Sequence, residues 1–423
     1  MRQTYGHTLL QKQACDATIM PEKTMGRSYE SSHPWLNFTL DLRRVPWDLW
    51  VMLGECQSKC EHIAGTPLRP DVSRLLHSVY LAKGVAATTA IEGNTLSEEQ
   101  VRQQIEGILK VAPSKEYLKQ EVENILEGCN TILAEIESGT LPSLSPARIK
   151  DLNRLVLRNL QLADEQTVPG EFRKHTVGVM DYRGAPPEDC EFLVEKLCRW
   201  LNEMTFPPGK EILEGIVKAV VAHLYLAWIH PFGDGNGRTA RLVEVQILLC
   251  SGVPSPAAQL LSNHYNQTRS EYYRQLGRSS KSGGDPMPFL HYAIQGLRDG
   301  LAEQIGDIRS QHIEVAWTNY VHDAFADLEG EADGRRKRLI LQLSASAKDW
   351  VTLDELSRLT PELAVDYHEK SQKMIVRDVE RLAEMGLIER EGRSVRANKT
   401  AILAFLPTRA RASKGEGNQK ETQ

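Results

Sequence analysis

Long apolar runs are missing from this chain of 423 residues, and with them the usual signature of a helical membrane protein. No stretch of about 18 consecutive apolar residues occurs, and the first thirty-odd residues hold no apolar segment of the secretory type. The expectation is a cytoplasmic protein with no membrane partner. Cysteine is sparse as well: seven, odd in number and scattered over the chain, argue for free thiols over a disulfide framework. The one local cluster, Cys56-x-x-x-Cys60-x-His62, has no fourth ligand at matching spacing, so buried thiols on a helix explain it better than zinc does. Internal repeats are absent, which sets aside a repeat architecture. An excess of positive charge is absent too, since 51 Lys and Arg stand against 56 Asp and Glu, a poor balance for a general polyanion binder. What is present is 41% hydrophobic residues in a length that suggests two or three domains, enough for real cores.

The most informative stretch is His230-Pro-Phe-Gly-Asp-Gly-Asn-Gly-Arg-Thr-Ala-Arg241. The apolar run Val217 to Ile229 before it has helical periodicity and is too short to span a membrane, so it predicts a buried helix that delivers His230 to a loop. Gly233, Gly235 and Gly237 let backbone N–H groups approach an anion closely. Arg238 to Leu249 reads as a second helix, whose unpaired N–H groups and positive dipole end face the same place. Phosphate is the natural guest. Arg238 and Arg241, three apart, fall on one helix face, where two guanidinium forks suit two phosphoryl groups. Asp234 offers the hard oxygen that Mg²⁺ prefers, and His230 suits a general base for an incoming hydroxyl. A lone His after an apolar helix is usually a cap, and a lone Gly-x-Gly is usually a turn.

Joined at this spacing they match, without a gap, the pattern His-Pro-Phe-x-(Asp/Glu)-Gly-Asn-Gly-Arg-x-x-Arg, and the chain resembles the Fic family over most of residues 35 to 300. The resemblance implies a mostly helical enzyme that moves AMP from ATP to a Tyr, Thr or Ser hydroxyl of a target protein. It implies His230 as the base, Asp234 as the Mg²⁺ ligand, the backbone of Gly235, Asn236 and Gly237 as the phosphate cradle, and Arg241, with Arg238, on phosphate. Relatives that phosphorylate carry Lys where Gly237 stands, so Gly favours AMP transfer.

Upstream, Thr88-Thr-Ala-Ile-Glu92-Gly93-Asn94 ends a predicted helix running from about Asp71, with Thr95-Leu-Ser-Glu98 as a capping box for the next. Glu92 thus opposes a helix dipole by roughly 0.3 to 1 kcal/mol, with no Lys or Arg three or four residues earlier to compensate. The segment resembles the inhibitory helix of Fic proteins, with Thr88 and Glu92 in its marked places, which implies that Glu92 pairs with Arg241 and displaces a phosphate. It further implies weak basal transfer, with AMP removal as a companion activity. A merely solvated Glu at a helix end is the alternative.

Between these motifs, Lys174 to Met180 and the following Asp-Tyr-Arg-Gly-Ala-Pro-Pro187 read as a short hairpin. The resemblance makes it a flap that pairs with target backbone; an ordinary surface hairpin is the alternative. Leu260 to Leu276 predicts one amphipathic helix in which Tyr272 or Tyr273 walls a purine while the other joins the core.

Residues 1 to 34 read as a polar tail, helices continue to about residue 305, a connecting helix and linker end at Glu329 to Gly334, and a tail covers 408 to 423. Residues 335 to 407 predict three helices and a hairpin, which resembles a winged helix. There Lys373, Arg377 and Arg381 form a basic stripe that suits DNA. Against it, Asp378, Glu380 and Glu384 share the helix, and residues 331 to 423 hold 18 Lys and Arg against 15 Asp and Glu. A solvated face or a protein-docking surface fits as well, and a nucleotide-sensing DNA-binding regulator is the alternative to the enzyme. A second copy of the chain is a further open partner.

Overall fold

The computed structural model describes residues 26–179, 182–368 and 370–403. It divides into two compact units, Met1–Ala302 and Glu303–Gln423. The first contains α1 (Ser28–Ser32), α2 (Trp47–Gly65), α3 (Pro70–Ala90), α4 (Glu98–Ile105), α5 (Glu116–Glu137), α6 (Pro146–Val156), strands β1 (Gly178–Val179) and β2 (Tyr182–Arg183), α7 (Cys190–Glu203), α8 (Glu211–Ile229), α9 (Asn236–Cys250), α10 (Leu260–Gln267) and α11 (Arg269–Lys281). A long α12 (Met287–Ala324) follows.

Helix α8 is apolar all round, and such a helix needs protein on every side. It is in fact 19 residues, long and apolar enough to cross a membrane, but it lies buried as the core helix of this unit. It packs along α9, with α2 and α7 on its other sides, while α5 and α6 back α9 and α3 runs against α4, α5 and α10. Cys56 and Cys60 lie fully buried on α2, where burial pushes both thiols up to about 12.

Several local expectations shift. Order begins before residue 35: Tyr29 of α1 is buried, and its backbone N–H donates to Asp189. The cap of α4 is Ser97 with Gln100, two residues later than the Thr95–Glu98 box, because Asn94 instead uses its side chain to accept from the Leu96 N–H. The amphipathic run from Leu260 breaks into α10 and α11 at Thr268. Its hydroxyl bonds back to the His264 carbonyl and also meets the Tyr292 hydroxyl, and such back-bonding bends helices. The hairpin strands are two residues each, paired Gly178 with Arg183 and Val179 with Tyr182; Met180 lies outside the described residues, as does the tail from 408.

In the second unit come α13 (Glu331–Ser344), β3 (Val351–Thr352), α14 (Leu353–Leu356), α15 (Pro361–Asp366), α16 (Gln372–Glu384), β4 (Ile388–Glu391) and β5 (Ser394–Ala397). The three strands form an antiparallel sheet ordered β3-β5-β4. Its core includes Trp317 and Val321 from the last turns of α12 and Phe325 just after it, which explains why the units divide well before the Glu329 to Gly334 patch. Asp378 is not on the outer face of α16: it is fully buried and accepts from Arg335, Arg336 and the Tyr367 hydroxyl.

Candidate active site

Helix α8 ends because His230 turns left-handed, with φ at 51°, while its N–H closes the last turn on the Leu226 carbonyl at 2.9 Å. A non-glycine residue there costs roughly 1 kcal/mol, so the surroundings must enforce it. Arg173 does. Buried between the hairpin and the loop, its guanidinium donates to the carbonyls of His230 at 2.7 Å and His175 at 2.8 Å, and also to those of Ala185 and Ile229. One side chain thereby ties the hairpin to the loop at His230, and nothing local in the sequence announces that role. Replacing Arg173 by Ala strands these acceptors, at about 1–3 kcal/mol for each that finds no water. A fall of roughly 6–12 °C in the thermal midpoint is expected for a net loss near 3 kcal/mol; an unchanged midpoint in a melting experiment would remove Arg173 as the anchor.

The loop itself closes on Asn236, whose Oδ1 accepts from the Phe232 N–H at 2.9 Å and whose Nδ2 donates to the Phe232 carbonyl at 2.8 Å. Gly235, with φ at 74°, caps α9, and Asn153 of α6 holds the outside of the turn by donating to the Asp234 carbonyl. The Asn236 side chain is therefore structural, and what the loop offers an anion is its backbone and the start of α9.

An anion already lies there. Glu92 sits two residues beyond the end of α3, and its Oε1 accepts from Arg241 Nη2 at 2.5 Å; the same nitrogen donates to the Thr88 carbonyl at 3.0 Å. A Cβ on Gly237 would overlap that carboxylate oxygen, so the carboxylate rests against the backbone at the mouth of α9. Burial alone would raise its pKa, but the charge and hydrogen bond of Arg241, aided by Arg238, hold it below the usual carboxylate range. Arg241 is 1% exposed, and its Nε and Nη1 have no hydrogen-bond partner. Those two donors and the glycine backbone fit a phosphoryl group.

Arg238 does not share this contact. It donates to Glu121 at 3.0 Å and to Asp234 at 3.2 Å, and Glu121 in turn accepts from Asn94 at 2.8 Å. Two arginines expected to grip phosphate side by side thus meet different carboxylates, and Arg238 also steers Asp234. Glu121, Asn153 and Arg173 carry no motif signal and come to the site only through packing. No cluster of three or more His, Cys, Asp or Glu suited to a metal occurs among the described residues. Asp234, half-exposed, is the one carboxylate that belongs to the loop itself, and a single carboxylate suits a Mg²⁺ ion held mainly by phosphates.

These groups border a cavity of about 300 Å³ reached by Glu92, His230, Gly237, Tyr182, Tyr272 and Tyr273. Tyr272 is the buried one, its hydroxyl 2.9 Å from His223 Nε2, and Tyr273 is partly exposed, so both tyrosines reach the cavity and one also serves the core. Burial, then the nearby charge of Arg173, brings His230 down to about 4, so the ring is neutral at neutral pH. A neutral imidazole keeps a lone pair on one of its ring nitrogens. The arrangement combines a free base, an anion cradle and an apolar wall.

A family model described as Fic/DOC matches residues 143–248. A protein of Nematostella vectensis named protein adenylyltransferase Fic is 32% identical over 292 residues, 69% of this chain and 64% of that protein. Protein adenylyltransferase fic-1 of Caenorhabditis elegans is 30% identical over 252 residues, 57% of this chain and 46% of its own length. The chain therefore spans between about half and just under two thirds of these relatives. Among solved structures, C. elegans Fic-1 superposes with a TM-score of 0.51 at 27% identity, covering 62% of this chain and 74% of that one. A Fic family protein of Desulfovibrio desulfuricans G20 shares the fold at a TM-score of 0.50 and 21% identity, over 83% and 94% of the two chains.

Proposed function

Because this chain carries a Fic/DOC family domain, we propose that it is a protein adenylyltransferase that moves AMP from ATP to a hydroxyl side chain of a target protein, restrained by its own Glu92. The observation that carries the reading is the Glu92 carboxylate lying where Arg241 and the Gly237 backbone would hold a phosphate. In the reaction the target oxygen bonds to the α phosphorus, the bond from that phosphorus to the bridging oxygen breaks, and pyrophosphate leaves. The hydroxyl proton goes to His230. Asp234 would hold Mg²⁺, which supplies charge neutralisation on the phosphates when bound. Tyr272 and Tyr273 wall the purine, and the hairpin presents strand edge to target backbone. With an AMP-modified target in place, Glu92 is set to orient a water onto phosphorus, and His230 then returns a proton to the departing target oxygen. Intact-mass spectrometry after incubation with ATP and Mg²⁺ tests the class: addition of AMP to the chain itself or to a co-incubated protein is expected, and its complete absence in wild type and in Glu92→Gly would reject it.

For the second unit we propose a winged-helix-like module that docks on duplex DNA as an added property. The burial of Asp378 favours it, since the exposed face of α16 then presents Lys373 and Arg377 without that carboxylate, alongside Arg381 paired to Glu384. A double Lys373→Glu, Arg377→Glu protein is expected to lose about tenfold or more in duplex affinity and to flatten the salt dependence by about two phosphate contacts. Fluorescence anisotropy that shows equal binding by both proteins would point to a solvated face instead.

A further inference from the structure

The first unit holds a second cavity, about 530 Å³, with no part in the chemistry above. Three carboxylates line it, Glu271, Asp285 and Asp299, against one guanidinium, Arg278. Each carboxylate has a local partner: Glu271 accepts from Arg274 and Gln275, Asp285 from the Met287 N–H, and Asp299 from Arg298. A carboxylate has about four lone-pair sites, so each keeps capacity for another donor.

Two neutral acceptors in the same lining are less well served. Gln275 is nine-tenths buried and spends its Nε2 on Glu271, while its Oε1 has no partner. The Nε2 of His264 is likewise buried and unpartnered. Burial holds this imidazole below its ordinary pKa, so the ring is neutral at neutral pH and Nε2 is available to accept a hydrogen bond. Buried acceptors without donors are costly, and native proteins seldom keep them without a reason. Met287, Pro288 and Tyr292 add apolar wall between the polar groups.

Acceptors of both kinds, separated by hydrocarbon-compatible surface in a cavity of ligand size, call for a molecule with several N–H donors, positive charge and methylene spacers. We propose that this cavity binds a linear aliphatic polyamine. Its ammonium groups pair with Glu271, Asp285 and Asp299, its N–H donors satisfy Gln275 and His264, and its methylene segments lie on Met287, Pro288 and Tyr292. Nothing in this assignment depends on the nucleotide site.

Isothermal titration of the full chain with spermidine, at an ionic strength of about 0.15 M where diffuse attraction is largely screened, tests it. Saturable one-to-one binding is expected, weakened about tenfold or more in Gln275→Leu and in Asp299→Asn. Gln275→Leu keeps the volume and removes the unmatched acceptor, so its thermal midpoint should match or exceed wild type, which separates lost binding from lost folding. Absence of saturable binding, equal affinity in both variants, or equal heats from magnesium chloride at matched ionic strength would each overturn the site and leave only screening of an acidic surface.

Discussion

The Glu92→Gly protein is expected to transfer AMP about ten to a hundred times faster than the wild-type chain. The contact it removes is a charge-assisted hydrogen bond from Arg241, of a kind worth roughly 1.5–3 kcal/mol. A nucleotide phosphate must displace that bond and the carboxylate together, so the gain follows from about tenfold per 1.4 kcal/mol. The same change has a cost. Arg241 is almost fully buried, and without Glu92 its charge is left with the Thr88 carbonyl alone among its contacts. Breaking a fully buried pair costs about 3–5 kcal/mol; here Glu92 is one-third exposed and water can reach the gap, so a loss nearer 1–3 kcal/mol is expected. ATP should restore it, because a phosphate replaces the missing carboxylate and ligand binding stabilises the folded state. Initial rates with labelled ATP and melting curves with and without nucleotide check both halves. Unchanged rates in the variant would end the inhibitory reading of Glu92, and a midpoint indifferent to ATP would end the view that its carboxylate stands in for phosphate.

His230→Ala, made in the Glu92→Gly background, should lower transfer by at least 10²–10⁴-fold while leaving ATP affinity within a few-fold. Loss of a base that acts only on the acceptor hydroxyl belongs in turnover, since the phosphates are held by Arg241 and the loop backbone. The pH profile carries a second signature. An unperturbed His loses its base form below about 6.5, but this one has its pKa depressed to about 4, so the neutral ring persists as pH falls and the acid limb of the rate should lie near pH 4–5. Removing Glu92, whose charge raises the His230 pKa, moves that limb further down. Rates measured from pH 4 to 8 decide it: an inflection near 6.5, or substantial activity in His230→Ala, would mean that another group takes the proton.

Much of this site was readable along the chain. The glycines, the apolar helix before His230 and the helix after Gly235 are local choices, and the structure places the turn at His230 and the start of α9 where those choices lead. The break at Thr268 and the early order at Tyr29 were not readable, because each depends on a partner far away, Tyr292 in one case and Asp189 in the other. Asp378 shows the same limit in the second unit: its place in the helix periodicity was plain, but only the packing of Arg335 and Tyr367 against it reveals a buried carboxylate in place of a surface one.

By itself the sequence determined the turn that brings His230 beside the glycine backbone at the start of α9, since backbone preferences act over a few residues. Which carboxylate meets which arginine was decided only by the tertiary structure. Glu92 reaches Arg241 across 149 positions and Glu121 reaches Arg238 across 117, so these pairs exist because helices α3 and α5 pack against α9, and ion pairing follows distance in space.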